Sequence, residues 1–124
     1  MAMAKEIMGG GFSAGQAQAV GGLGSTLVAT GSVQGDAAPA LTSIAIVTGA
    51  DGTKGVGIPA LPIGDEVWFY NNSSSTLKVW PPTGSAITVT GTGLGTANAS
   101  FALLTFKAGL FKVQSATQIF CVIT

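Results

Sequence analysis

The chain has 124 residues, five acids, five lysines and no histidine or arginine, so its formal net charge is zero. Charged side chains make up only 8% of it, against roughly 25% in an average soluble domain, and the length suits one domain. This composition argues against catalysis that needs an imidazole, against a zinc site, and against a basic surface that neutralises phosphates.

Residues 1–22 differ from the rest. They are rich in Gly, Ala, Gln and Met, and Gly9-Gly10-Gly11 interrupts any helix. We read them as an extended N-terminal arm, with a short helix over Ala14–Val20 as the alternative. Met3, Ile7, Met8 and Phe12 are its apolar contact candidates. The arm lacks the apolar stretch of a signal peptide, which points to synthesis and folding in a cytoplasm. No apolar run approaches the ~20 residues of a membrane span, and no basic amphipathic face appears.

From residue 23 to 124 the texture is strand, turn, strand. Ser25–Val33 and Leu41–Thr48 carry alternating β-branched residues, Asp51-Gly52 marks a tight turn, and Gly55–Ile58 is a short extended piece. Pro59 and Pro62 bracket a rigid connection. Glu66–Asn71 (EVWFYN) and Thr76–Trp80 (TLKVW), joined by Asn71-Asn72-Ser73-Ser74-Ser75, read as a β-hairpin. Ala86–Thr90, Phe101–Lys107, Gly109–Gln114 and Gln118–Ile123 supply the remaining strands. Asn98 could instead cap a helix over Ala99–Lys107. Short strands at this spacing predict an all-β fold: a small antiparallel β-sandwich or barrel, jelly-roll-like, carrying the arm. No internal repeat is evident.

Little in the chain carries chemistry. Asp65 and Glu66 are adjacent, so a strand points them to opposite faces. Asp36 with Asp65 or Glu66 is the one carboxylate pair open to a glycosidase reading. In Gly49–Gly55 (GADGTKG), Lys54 is followed by Gly55 where a P-loop needs Ser or Thr, and Gly91–Gly95 (GTGLG) lacks dinucleotide-binding spacing. Asn71, Asn72 and Asn98 form N-x-S sequons expected by chance in so Ser-rich a chain. Cys121 is the only cysteine and sits on an apolar stretch, as a buried small hydrophobe does. No cofactor, metal or catalytic residue is expected.

The aromatics are the remaining candidates. On one strand, Trp68 and Tyr70 share a face while Val67 and Phe69 share the other, and a hairpin could bring Trp80 across from them. Phe69 belongs to a core. Trp68, Tyr70 and Trp80 are either an interface or a second apolar layer. Ile119, Cys121 and Ile123 on one face, with Phe120 and Val122 on the other, make the last strand apolar on both sides. Such a strand is central or covered by a neighbour.

Several of these segments resemble a module recurrent in virion structural proteins of tailed bacteriophages. The matching residues are Leu61-Pro62, Gly64-Asp65, Val67–Tyr70, Asn71-Asn72, Leu77–Trp80, Pro82-Thr83-Gly84 and Gly95–Ser100, with a similar stretch upstream over Leu27–Thr48. The arm lies outside the resemblance. What it implies is a non-enzymatic structural component of the virion, made in the host bacterial cytoplasm. The short chain fits a capsid decoration (cement) protein, expected as a homo-oligomer bound to the major capsid protein or other virion subunits, with no nucleic acid and no membrane. A head-fibre or tail adhesion module, binding carbohydrate through Trp68, Tyr70 and Trp80, is the alternative.

Overall fold

A computed structural model describes residues 24–124. The arm and its candidates Met3, Ile7, Met8 and Phe12 lie outside the described residues. Within them the chain is nearly all-β: β1 (Gly24–Val28), a 3₁₀ turn (Gln34–Asp36), β2 (Ala38–Pro39), β3 (Ile44–Thr48), β4 (Gly55–Gly57), β5 (Glu66–Asn71), β6 (Leu77–Trp80), β7 (Ala86–Val89), β8 (Phe101–Leu103), β9 (Ala108–Val113) and β10 (Gln118–Ile123). Two sheets result, a six-stranded one ordered β1-β3-β5-β9-β10-β7 and a four-stranded one ordered β2-β4-β6-β8.

The chain winds rather than zigzags. From β1 to β9 each successive strand joins the opposite sheet, so three circuits stack β1, β3 and β5 in parallel on one side and β2, β4 and β6 in parallel on the other. Parallel neighbours need a crossover of a dozen or more residues, usually helical. Here the crossover is the strand of the other sheet.

The expectation of an antiparallel sandwich or barrel is therefore corrected. Five strand pairs are parallel, β7 with β10 being the fifth, and three are antiparallel. Both sheets keep open ends instead of closing into a barrel. The supposed hairpin of β5 and β6 is corrected too, because the two strands lie in different sheets. Asn71-Asn72-Ser73-Ser74-Ser75 is a corner between layers. Asn71 anchors it, its Nδ2 donating to Ser75 O at 2.9 Å and to Leu103 O at 3.0 Å. The described hairpin in which sequence neighbours pair is β9–β10, with Val113 opposite Ile119. The strand expected over Phe101–Lys107 stops at Leu103, and the helical alternative there is not formed.

The core lies between the sheets. Val47, Phe69, Phe111 and Ile119 enter it from the six-stranded side, and Val56, Leu77, Val79 and Leu103 from the other. Phe111 is its centre, with ring centroids 5.7 Å from Phe69 and 6.0 Å from Phe101. Cys121 is fully buried among these residues, and burial pushes its thiol up to about 12.

Candidate assembly surface

The outer face of the six-stranded sheet follows from strand alternation. Register places Gly24, Ile44, Trp68, Leu110 and Val122 in one row across five strands. Thr26, Ile46, Tyr70 and Ala108 form the next row. Ile44 is 54% exposed, Ile46 45% and Val122 48%. Trp68 and Leu110 are half-buried and Tyr70 is exposed. Five strands thus present isoleucine, tryptophan, leucine and valine to solvent where a sheet with one wet face ordinarily carries polar side chains.

Ile44, Ala45, Ile46, Trp68, Phe69, Tyr70 and Ala108 line an open groove of about 320 Å³ on this face. A neighbouring groove of about 410 Å³ runs along Gly24, Ser25, Thr26, Ile44 and Ile46. The charged members of the face are Glu66 and Lys112, opposite each other on β5 and β9. At the far end, the face is closed over β7: Gly95 N donates to Thr88 Oγ1 at 2.9 Å, and a Cβ on Gly95 would collide with the Ile87 carbonyl.

The structure unites two of the three candidate aromatics. Trp68 and Tyr70 share the outer face, opposite the buried Val67 and Phe69, as alternation required. Trp80 is not with them. It lies on the four-stranded sheet, in register with Gly57 and beneath the Lys78 ammonium, 5.9 Å from the ring centroid. Its indole rests against Gly55, where a Cβ would come within 3.0 Å of Trp80 Cδ1 and 2.7 Å of Lys78 O, so this strand has no room for a side chain. The buried Trp80 Nε1 has no hydrogen-bond partner. A three-aromatic platform built on the hairpin is thereby corrected.

Sequence reasoning missed Ile44 and Ile46 as surface residues. Their alternation with Ala45 and Val47 was visible, but residue size suggests the wrong face: the smaller pair is buried and the isoleucines point out. Phe120 and Val122 carried a usable signal, since β10 is apolar on both sides. β10 is indeed interior to its sheet, between β9 and β7, yet its outer side chains remain 43% and 48% exposed. Among the described residues no group of three or more His, Cys, Asp or Glu side chains is placed to hold a metal ion. No helix among them is long and apolar enough to cross a membrane.

The chain matches no protein-family model, no curated protein and no solved structure to which it was compared.

Proposed function

We propose that this chain is a non-enzymatic structural subunit of a tailed-phage virion, of the capsid decoration type, working through buried contact area alone. The observation that carries the reading is the uncharged outer face of the six-stranded sheet, with Ile44, Ile46, Trp68, Tyr70, Leu110 and Val122 in adjoining rows. Contiguous apolar patches of this kind mark contact surfaces. Burying one gains about 25 cal/mol per Å² before the costs of association. With few charges on the chain, little desolvation opposes that burial. In this reading residues 1–22, with Met3, Ile7, Met8 and Phe12, give a second grip on neighbouring shell subunits, the major capsid protein first among them.

The carbohydrate-adhesion alternative has Trp68 and Tyr70 side by side in its favour. The rest of the groove lining is aliphatic or Phe69, with few of the polar groups that orient a sugar.

Capsids of the encoding phage, prepared without this chain, test the proposal. Added protein should occupy fixed sites on the shell and raise its resistance to disruption, and protein lacking residues 1–22 should bind more weakly while staying folded. Absence of the chain from purified virions would sink the virion reading.

A further inference from the structure

Phe106 is the residue the fold does not explain. Its φ is 57°, in the left-handed region that a bulky L-residue avoids. The conformation is imposed by its surroundings: Phe106 N donates to Asn71 O at 2.9 Å, Lys107 N to Leu104 O at 3.2 Å, and Asn71 N to Lys107 O at 3.0 Å. Thr105 Oγ1 also donates to Ser73 O. Glycine would satisfy this turn without strain. The other non-glycine residue with positive φ, Asn98, has a local reason: its Oδ1 accepts from Gly84 N at 2.7 Å and from Gln34 Nε2 at 3.2 Å. Phe106 makes no such return, because its side chain is 59% exposed rather than packed in the core. Strain retained with no gain in the fold points to use outside it.

Its position says where. Phe106 bonds to the end of β5 and lies two residues before Ala108, which faces Tyr70 and lines the apolar groove. A rigid aromatic projection therefore stands beside an aromatic-lined groove at one end of one surface. A projection next to its own kind of receptor is the arrangement of a self-complementary interface, in which each copy fills the other's groove.

Charge favours the same occupant. Glu66 and Lys112 cancel across their strand pair, so a strongly acidic or basic partner finds no net counter-charge on this face, and copies of a chain with zero net charge do not repel. The exposed parts of the apolar rows together with Phe106 amount to roughly 700 Å², taking about 160–250 Å² for a whole residue of these types. A stable interface needs about 800 Å² per partner.

We propose that a second copy of this chain covers the outer face of the six-stranded sheet, with Phe106 as an anchor of that contact. The proposal rests on reading the face as an assembly surface and names what sits on it. Sedimentation equilibrium of the full chain tests it, with Phe106→Gly and Ile46→Lys, each followed by urea unfolding at a concentration where all are dissociated. The wild type should self-associate. Both variants should associate at least tenfold more weakly, and Phe106→Gly should unfold at an equal or higher urea concentration because the strain is relieved. A wild type that stays monomeric, or association untouched by both variants, overturns the proposal. A Phe106→Gly protein that unfolds more easily overturns the anchor role in favour of a structural one. Monomers that still coat capsids would overturn the second copy but not the virion role. Copies that pair through this face yet never join a particle would do the reverse.

Discussion

The Asp51 carboxylate accepts three hydrogen bonds through one oxygen: from Thr53 Oγ1 at 2.6 Å, Thr53 N at 2.9 Å and Lys54 N at 3.0 Å. These bonds, the Thr53 hydroxyl first, favour the charged form and hold its pKa down to about 2 from an ordinary 3.8. A carboxylate whose pKa is lower in the folded than in the unfolded chain stabilises the fold above the unfolded value, and that stabilisation is lost as pH falls through the folded one. Wild-type stability should therefore decline between about pH 4 and 2 more steeply than that of Asp51→Asn, as measured by urea midpoints across that range. A carboxyl resonance of Asp51 titrating near 4 would mean that the turn is not held this way in solution. The turn itself was legible, since Asp-Gly is a strong signal and Gly52 has φ of 90°. So were the burial of Phe69 and Cys121 and the opposite placement of Trp68 and Tyr70. Phe106 was not, because a left-handed φ at phenylalanine is set by bonds to Asn71 and Ser73, far away in sequence.

Strand positions were largely legible, and strand partners were not. Glu66–Asn71 and Gln118–Ile123 have the bounds that their β-rich sequences suggest. Pairing failed where a polar cluster can end a strand in two ways, by reversing it within a sheet or by turning it out of the sheet. The second outcome depends on Asn71, fully buried, whose amide ties the end of β5 to Ser75 and to Leu103 at the end of β8. Its Oδ1 is buried without a partner, so the residue is kept for its donors. Asn71→Ala should strand two carbonyls and cost about 2 kcal/mol in urea unfolding, allowing for the relief of the orphaned oxygen. A loss within experimental error would show that the corner does not depend on the amide. The backbone there adds Asn72 N to Val47 O at 2.8 Å, which links the same corner to β3.

At the scale of the whole molecule, the scarcity of charge and the apolar outer face belong together. The sheet that closes the core on one side offers an uncharged surface on the other, and assembly rather than solvation is what such a surface suits. The winding of the chain bears on time as well as shape. Gly24 has no sheet partner until Ile44 has been made, and Ile44 none on its other side until Trp68, so early strands wait for a full circuit before they can pair. Chains dominated by such distant pairings fold on the order of milliseconds to seconds. Trp68 and Trp80 sit on opposite sheets. Single-tryptophan variants, Trp80→Phe and Trp68→Phe, should report one shared refolding rate in stopped-flow fluorescence, because neither sheet can be completed before the other. Two separate rates would mean that one layer forms alone. Until the last circuit closes, β1 and β3 have no finished sheet to join, and the newly made chain must spend that interval with its most apolar strands uncovered.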